Sequence, residues 1–466
     1  MRRGAAILKQ SRDDGEALAR ARRLMAEGRD EAAKAAYVDV LRIDPTNLAA
    51  LNEIGVLALR CGHRSAARTA WLQAIGFHPA APAAHVNFAN LLMEDGDIQG
   101  ARNHYEAALS AVPGLPEAHQ GMARVLAEIG DAAADHHRRK GFVGHAIVAK
   151  PYRGVGRGTP ILLLAASRGG NIPTRHWIDD RDFAIVALYA DFHDLAQPLP
   201  PHALAVNLIG DADLCDRALT CAEAILRDSP APLLNPPELV RATGRVANAR
   251  RLGELRGVTT PETRMWTREA LLAAGDLAFP LLLRAPGYHA GQHFHRVEDR
   301  NTLLDAIAAL PHETFLTIQY LDARGSDGMA RKYRVMFIGG ELYPLHLAIS
   351  PDWKVHYFSA AMAANAAYRE EERQFLDDMP GVLGRRAMTA LAAIGETLGL
   401  DYAGADFALA PEGSVLLFEA NATMVVNQPD PDPMWRYRRD AIDAAIQAAK
   451  RMLFRKAHRV GSDIGH

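Results

Sequence analysis

The stretch DYAGADFALAPEGSVLLFEANATMVVN, Asp401–Asn427, decides the fold of the second half of the chain. It contains two apolar runs, Ala405–Ala410 and Val415–Ala420, on either side of the sequence Pro-Glu-Gly-Ser. Apolar runs that flank a short segment of turn residues are typical of a β-hairpin. We therefore predict two antiparallel strands joined by a four-residue loop.

The register of this hairpin follows from the length of its loop. If the four turn residues form the whole loop, Ala410 pairs with Val415, and Asp406 lies directly opposite Glu419. Asn421 shares the face of Glu419, because strand side chains return to the same face at every second residue. The pairing predicts three oxygen-bearing side chains at one end of an otherwise apolar hairpin.

These three side chains suit a divalent cation. Two carboxylates that face each other across a strand pair repel unless a cation lies between them. Ligand sets made only of oxygen favour magnesium, which keeps several waters and bridges to substrate phosphates. The alternative interpretation is a solvent-exposed hairpin end, where carboxylates and Asn are common.

The same stretch resembles part of a known family. The sequence FEANATM, Phe418–Met424, after an upstream Asp resembles the last magnesium-binding motif of the ATP-grasp superfamily, which includes glutathione synthetase and RimK-like ligases. The resemblance extends roughly from Ile161 to Phe454 and implies an α/β and α+β ATP-grasp fold. It also implies ATP and Mg2+ as cofactors, with Asp406, Glu419 and Asn421 as metal ligands.

Two upstream segments are similar to the phosphate-binding part of that family. Asn235–Trp266 is similar to the entry segment, in which the family uses a Lys to reach the ATP phosphates and this chain has Arg245. Phe279–Asp299 follows it and carries Arg284 where the resemblance places a second Lys. Arg keeps the positive charge and adds a planar fork that fits phosphate oxygens. Both arginines are therefore candidate ATP ligands.

A glycine-containing loop, Pro286–Gln292, lies inside the second of these segments. The resemblance implies that it forms the lid over the phosphates. Small residues such as Gly291 let backbone N–H groups approach an anion there. His289 lies in the same loop and is a candidate contact for phosphate or for an acyl intermediate.

The segment Thr314–Ser350 corresponds to the adenine side of the family's site. The resemblance implies a hinge whose backbone holds the adenine edge, formed by Gln319, Tyr320 and Leu321. Gln319 replaces the acidic residue usual at that position, and Asp327 is a candidate for binding the ribose. Arg334 matches a basic residue that the family directs at phosphate or at the acyl phosphate. The alternative for Arg334 is a charged position on an amphipathic strand.

The first third of the chain is a sequence repeat. Blocks that begin at Asp14, Leu48 and Pro82, 34 residues apart, align without gaps. Each has small residues, a final Pro and one aromatic residue at the same position, namely Tyr37, Trp71 and Tyr105. Small residues let paired helices approach, the aromatic fills the gap between neighbours, and Pro ends the second helix. The pattern resembles the tetratricopeptide (TPR) repeat and predicts an all-α helical solenoid.

A fourth block begins at Pro116 and differs from the others. It carries Asp135 and Arg139 at positions that are small or aromatic in the earlier blocks, as the polar cap of a solenoid requires. Similar repeats bind peptides or partner proteins in a concave groove. We therefore expect a protein or peptide partner in the TPR groove, and the alternatives are a structural spacer and a dimerisation arm.

The organisation of the chain is that of a multidomain protein. Short apolar runs from Ile161–Ser167 to Pro232–Asn235 alternate with helical segments, which predicts a small parallel sheet. The predicted limits are 1–140 for the TPR domain, 141–158 for a linker, 159–235 for the small parallel-sheet domain, 236–456 for the ATP-grasp domain and 457–466 for a C-terminal tail.

Composition excludes several classes of partner. A net charge of -2 gives no basic surface for nucleic acid or anionic lipid. The apolar runs are far too short for a membrane span, and the first residues have no apolar core long enough for a signal peptide. The three cysteines are scattered and form no disulfide or zinc pattern. We predict a cytoplasmic protein with no nucleic-acid or membrane partner.

The resemblance implies an ATP-dependent ligase that joins a carboxylate to an amine or thiol through an acyl phosphate and releases ADP. Arg334 and Arg284 are the candidate catalytic residues, and the TPR domain would recruit a peptide or protein substrate or a partner. Two alternatives remain. One is a non-catalytic TPR interaction protein with a degenerate nucleotide pocket, since both family Lys positions carry Arg. The other is an ATP-dependent phosphotransferase.

Overall fold

A computed structural model describes residues 15–285, 294–310, 312–355 and 360–458. The chain divides into two compact units. The first is Met1–Pro160 together with Asp179–Pro200, and the second is Ile161–Ile178 together with Pro201–His466. His289 and Gly291, predicted to contact the phosphates, lie outside the described residues. None of the helices in the described ranges is long and apolar enough to cross a membrane.

The first unit begins with a series of antiparallel helices. They are α1 (residues 15–26), α2 (Asp30–Ile43), α3 (Leu48–Arg60), α4 (Arg64–Phe77), α5 (Pro82–Glu94), α6 (Ile98–Ala111), α7 (Pro116–Glu128) and α8 (Ala134–Phe142). The three repeat aromatics are buried between neighbouring helices, as predicted. Gly55 shows why a small residue recurs in the repeat, since a Cβ there would lie 2.5 Å from Nε1 of Trp71. The predicted helical solenoid is confirmed.

The strands follow the helical repeat. They are β1 (Ile147–Ala149), β2 (Thr159–Ala165), β3 (Phe183–Tyr189), β4 (Leu204–Asn207), β5 (Leu233–Leu234), β6 (Val258–Thr259), β7 (Thr263–Thr267), β8 (Leu281–Arg284), β9 (Phe294–Val297), β10 (Thr314–Gln319), β11 (Ala330–Ile338), β12 (Glu341–Ser350), β13 (Tyr402–Leu409) and β14 (Val415–Asn421). The helices of the second unit are α9 (Ala212–Leu226), α10 (Pro237–Arg241), α11 (Arg245–Gly253), α12 (Arg268–Ala273), α13 (Arg300–Ala309), α14 (Ala366–Asp377), α15 (Met379–Leu398) and α16 (Arg439–His458).

Within the first unit, β1 and β3 form an antiparallel pair beside the helical repeat. Polar and aromatic contacts join this segment to both ends of the repeat. Arg181 Nη2 lies 2.9 Å from Asp30 Oδ2 at the start of α2. At the other end, the ring of Phe142 in α8 lies 4.4 Å from that of Tyr189. The repeat therefore packs against a later segment of its own chain.

In the second unit, β2, β4 and β5 are parallel, as the apolar runs predicted. The run Ile161–Leu164 in β2 is at most 2% exposed at every position. Continuous burial along a strand is expected where a parallel sheet is covered on both faces. A second sheet, in the order β7-β10-β8-β9, is antiparallel and packs its apolar face on α12 and α13.

The third sheet, in the order β12-β11-β13-β14-β6, contains the predicted hairpin, which is formed by β13 and β14. Its long strands are antiparallel, and only β6 pairs in parallel with β14. The apolar stripe of α15 at Leu391, Ile394 and Leu398 is fully buried. This sheet provides most of the charged side chains of the candidate site.

The hairpin register differs from the prediction near its loop and agrees with it at its far end. Leu409 pairs with Val415, so the predicted pairing of Ala410 with Val415 is wrong. The backbone N–H of Ala410 instead donates to the carbonyl of Ser414 at 2.9 Å and closes a five-residue loop. A β-bulge then shifts the ladder by one residue, and Asp406 lies opposite Glu419 as predicted. The bulge restores the pairing that the longer loop would otherwise displace.

Candidate functional site

A cavity of about 420 Å3 in the second unit collects most of the predicted site residues. Those that line it are Arg245, Arg284, Gln319, Tyr320, Leu321, Arg334, Asp406, Glu419 and Asn421. They come from four parts of the chain, namely α11, β8, the end of β10 and the third sheet. The fold therefore brings together side chains that are far apart in sequence.

Asp406 is held by two cations. Arg334 pairs with it across β11 and β13 and forms two bonds, Nε to Oδ1 at 2.5 Å and Nη2 to Oδ2 at 2.8 Å. Lys332 Nζ lies 3.2 Å from Oδ2. Burial alone would raise the pKa of Asp406, but the charges of Arg334 and Lys332 outweigh it and hold this pKa far below its usual range. Asp406 is therefore an ionised, deeply buried carboxylate.

Glu419, directly opposite, is held by a third cation. Arg245 Nη2 lies 2.9 Å from Glu419 Oε1, and its backbone N–H donates to Asp213 Oδ2 at 3.1 Å. Burial opposes the ionisation of Glu419, but Arg245 and then Arg284 lower its pKa below the usual value. Arg245 begins α11, so the start of this helix fixes the position of the guanidinium against the carboxylate.

Arg284, in β8, lines the same cavity as Glu419. Burial and the nearby charge of Arg245 lower the pKa of Arg284 to about 10. The side chain remains charged at neutral pH, and its guanidinium carbon lies 5.7 Å from the ring centroid of Phe294. An anion bound beside these two half-buried arginines would be stabilised by both, because it would offset their mutual repulsion. We call Arg245, Arg284, Lys332, Arg334, Asp406 and Glu419 the charged cluster.

The residues fit the magnesium ion that the sequence resemblance implies, with one rearrangement. Asp406 and Glu419 present hard oxygen donors opposite each other, as magnesium requires. Asn421 donates from Nδ2 to Glu419 Oε1 at 2.8 Å, while its Oδ1 accepts from the backbone and hydroxyl of Thr423. Use of Asn421 as a ligand requires its amide oxygen to turn toward the carboxylates. No group of three His, Cys, Asp or Glu residues in the described ranges offers another metal site.

The hinge residues form the other wall of the cavity. Two hydrogen bonds fix Gln319 against Glu262. The backbone N–H of Gln319 donates to the carbonyl of Glu262 at 2.8 Å, and the backbone N–H of Glu262 donates to Oε1 of Gln319 at 3.1 Å. The ring of Tyr320 carries the guanidinium of Arg296 at 4.3 Å and lies 6.5 Å from the ring of Trp353. This wall is aromatic and apolar, which suits a planar base better than a phosphate.

One predicted site residue does not line this cavity. Asp327 instead accepts two bonds from Arg331, from Nη1 at 3.0 Å and Nη2 at 2.8 Å. These bonds lower the pKa of Asp327 to about 2, and Arg331 also pairs with Glu371 at 2.6 Å. Ribose binding by Asp327 remains a prediction, and it would require this carboxylate to leave its ion pair with Arg331.

Lys332 was missed in the sequence, although a signal was present. It lies two residues before Arg334 on β11, so the two-residue period of a strand places both on one face. The family pattern draws attention to Arg334 alone. Period-two reasoning applied to the whole strand would have found the second cation on Asp406.

Solved structures similar to this chain fall into two groups. An ATP-grasp protein with a RimK domain from Sphaerobacter thermophilus is 19% identical, with 63% of this chain and 100% of that chain covered and a TM-score of 0.40. VanG D-Ala:D-Ser ligase from Enterococcus faecalis is 12% identical, with 65% and 100% covered and a TM-score of 0.40. These are likenesses of fold.

The second group contains helical repeats. A tetratricopeptide repeat protein from Parabacteroides merdae is 21% identical, with 28% of this chain and 52% of that chain covered and a TM-score of 0.26. The chain thus spans about half the length of that protein. No model of a protein family matches the sequence, and no curated protein matches it. The structure contains both parts of the predicted architecture, namely a helical repeat and a part built of α-helices and β-sheets.

Proposed function

We propose that the chain is an ATP-dependent ligase that joins a carboxylate to an amine or thiol. The observation that carries the proposal is the charged cluster, in which four cations surround two opposed carboxylates on one wall of a single cavity. Four positive charges against the two carboxylates of the cluster and Asp213 beside Arg245 leave an excess of one positive charge, which attracts a polyanion such as a triphosphate. The aromatic wall at the hinge offers a place for the base of the same nucleotide.

Each member of the cluster has a defined task. Asp406 and Glu419 would hold magnesium, which when bound supplies positive charge that neutralises the phosphates. Once these carboxylates engage a cation, Arg334 and Arg245 lose part of their present partners and turn their donors to phosphate oxygens. Arg284 is already directed at the cavity by β8. Positioning and electrostatics of this kind account for most of phosphoryl-transfer catalysis.

The proposed reaction has two steps. A substrate carboxylate oxygen attacks the γ-phosphorus of ATP, the bond to the β–γ bridging oxygen breaks, and ADP leaves. The amine attacks the acyl carbon, its proton is lost, and inorganic phosphate leaves. Arg334 and Arg284 stabilise the charge on the transferred phosphoryl oxygens in both steps. No nucleophilic side chain of the protein is required.

The helical repeat would recruit a peptide or protein that carries one of the substrates. Consecutive first helices of the repeat, α3 and α5, present Asn52 and Asn87, whose side chains are hydrogen-bonded at 2.9 Å. Such amides can bind the backbone of an extended peptide. The alternative role as a spacer is favoured by the ion pair of Arg181 with Asp30, which ties the repeat to its own chain.

A second candidate function is that of a non-catalytic interaction protein. It is favoured by the ion pairs of Arg245 with Glu419 and of Arg334 with Asp406, because a side chain held in this way has fewer donors for phosphate. Phosphoryl transfer from ATP to a hydroxyl would use the same cluster and differs only in the acceptor.

The test is turnover of ATP. The protein is incubated with ATP, magnesium and pooled amino acids or peptides, and ADP and phosphate are measured. We expect release that depends on the pool and is abolished by Glu419→Ala. Glu412→Ala, on the exposed loop of the same hairpin, is the matched control and should keep activity. ATP that does not bind, or release that Glu419→Ala leaves unchanged, would exclude the ligase.

Recruitment by the repeat is tested separately. Replacement of both Asn52 and Asn87 by Ala should raise KM for a peptide substrate and leave KM for a free amino acid unchanged. Equal KM values for the peptide in the wild type and the double variant would favour the spacer.

A further inference from the structure

A second cavity, of about 270 Å3, adjoins the nucleotide cavity. The two cavities share three lining residues, Arg334, Val425 and Asn427. Arg334 is bonded to Asp406 in the charged cluster, so a molecule in the second cavity would meet the phosphate end of a nucleotide at this residue. None of the roles assigned above uses the second cavity.

One side of the second cavity is apolar. Leu345, Met362 and Ile442 line it and are at most 3% exposed, and the half-buried ring of Trp435 adds an aromatic surface. These side chains come from β12, the segment before α14, α16 and the short 3-10 helix Pro433–Arg438. The body of a bound molecule would therefore contact hydrocarbon and an indole ring rather than water.

The other side is charged, with Arg334, Arg438 and Asp430 in its lining, and the charge of Arg438 is rigidly held. Arg438 is 4% exposed and donates from Nε to Glu372 Oε1 at 3.0 Å. Glu372 is fully buried and also accepts a hydrogen bond from the hydroxyl of Tyr437 at 2.5 Å. The guanidinium lies 5.9 Å from the ring centroid of Trp435. Burial of such a pair seldom adds stability, so its use here is to fix a charge beside the cavity.

His346 is another polar side chain in the lining of the second cavity. It lies opposite Arg334 in the β11–β12 ladder and is 6% exposed. Burial and the charge of Arg334 keep the pKa of His346 well below its usual value, so the imidazole is neutral at neutral pH. The positive charges at this cavity are therefore those of Arg334 and Arg438. Each is paired with a carboxylate, Asp406 or Glu372, and burial raises the pKa of Glu372 to about 7.

We infer that the second cavity binds the acid substrate of the proposed ligase, a small carboxylic acid with an aliphatic or aromatic body. Its carboxylate lies toward Arg334, where ATP presents the γ-phosphoryl group, and its body packs on Trp435 and Met362. A volume of about 270 Å3 is below the roughly 300–1,000 Å3 of clefts for drug-sized ligands. The occupant is therefore a free small acid or one residue at the end of a chain. This assignment rests on the proposed function.

The experiment uses hydroxylamine in place of the unidentified amine. Hydroxylamine attacks an acyl phosphate at the acyl carbon and gives a hydroxamate and phosphate, so acid activation is measured without knowledge of the natural acceptor. The full chain is incubated with ATP, magnesium and leucine, phenylalanine, glycine or leucinamide. We expect hydroxamate from leucine and phenylalanine, at least tenfold less from glycine, and none from leucinamide, which has no carboxylate.

The cavity itself is tested by filling it. Ala363 lines the cavity and is exposed, so Ala363→Phe obstructs the site without loading the core. Ala364→Phe, at the exposed neighbouring position outside the lining, is the matched control. We expect Ala363→Phe to raise KM for the acid at least tenfold, with KM for ATP changed less than twofold. Trp435→Ala should act in the same direction.

The outcomes separate the two proposals. Absence of ATP binding overturns the proposed function. ATP binding without hydroxamate from the apolar acids overturns the assignment of this cavity, as does equal use of glycine and leucine. An unchanged KM for the acid in Ala363→Phe overturns it as well, whereas the ligase activity would then stand.

Discussion

Replacement of Asp406 by Asn tests the electrostatics of the charged cluster most sharply. The carboxylate is 6% exposed and is bonded to Arg334 at 2.5 and 2.8 Å and to Lys332 at 3.2 Å. Asn keeps the shape and removes the charge, which leaves two cations beside a neutral amide. Loss of one partner from a buried pair costs about 3–5 kcal/mol. Because Arg334 and Lys332 are 22% and 16% exposed, water screens part of their charge. We therefore expect Asp406→Asn to lower the free energy of unfolding by about 3 kcal/mol.

The assay is urea denaturation at pH 7 with tryptophan fluorescence as the readout. Asp305→Asn, on the exposed face of α13, is the matched control and should leave the midpoint unchanged. ATP without metal should stabilise Asp406→Asn more than the wild type, because the triphosphate supplies the missing negative charge. A variant as stable as Asp305→Asn would refute the reasoning.

The pH dependence of the same variant has a definite sign. The pKa of Asp406 in the folded protein is lowered below the ordinary Asp value of about 3.9. The stabilisation is therefore complete above about pH 4 and is lost as the pH falls through the folded pKa. The wild type should lose stability between pH 4 and pH 2 more steeply than Asp406→Asn. Parallel pH profiles would show that the carboxylate gains nothing from its partners.

Three further changes test other parts of the molecule. Arg284→Ala should weaken ATP binding by about 1.5–3 kcal/mol, the contribution of a hydrogen bond to a charged group, and Arg284→Lys should weaken it by less. Calorimetry measures the ATP affinity of both variants. Affinities equal to that of the wild type would contradict the phosphate role. His85 and His104 are in contact, Nδ1 to Nδ1 at 2.9 Å, and burial followed by the charge of His85 lowers the pKa of His104. The stability of the repeat should thus fall as the pH drops below about 6.5. Circular dichroism melts should show a smaller fall in His104→Asn, and identical slopes would contradict the pairing. Asp30→Asn removes a carboxylate that pairs with Arg181, Arg60 and Arg153, and it should destabilise the first unit by about 1–3 kcal/mol in thermal unfolding. An unchanged midpoint would show that these ion pairs are dispensable.

The sequence predicted those parts of the fold that rest on a local period. The helical repeat follows from the 34-residue spacing of Tyr37, Trp71 and Tyr105, and the parallel strands follow from short apolar runs. The contact of Asp406 with Glu419 was also predictable from alternation along two strands. The bulge at Phe418 could not be predicted. A loop longer by one residue together with a one-residue bulge leaves Asp406 opposite Glu419, as a shorter loop without a bulge also would.

Contacts between distant segments could not be predicted for a different reason. The pairing of Arg245 with Glu419 joins α11 to β14, and no period in the sequence relates a helix start to a strand 174 residues later. The same holds for Glu372 and Arg438 behind the second cavity. The ion pairs of Arg331 with Asp327 and Glu371 were not predicted either, since Glu371 lies 40 residues later in the chain.

Arg245 and Arg284, which lie where the sequence resemblance places lysines, have different environments. Arg245 is neutralised by Glu419 and Asp213, whereas burial and Arg245 lower the pKa of Arg284. A lysine at position 245 could not bond Glu419 and contact Asp213 through a planar fork at the same time. Arg245 therefore couples a proposed phosphate-binding position to a proposed metal ligand.

The central claim is that Asp406 and Glu419 bind a cation together with ATP. It is tested most directly by titration of ATP into the wild type and Glu419→Gln, each with and without manganese as a paramagnetic substitute for magnesium. The account predicts that the metal tightens ATP binding at least tenfold in the wild type and that Glu419→Gln loses this increment while it retains metal-free binding through Arg245 and Arg284. An equal effect of the metal on both proteins would contradict the account.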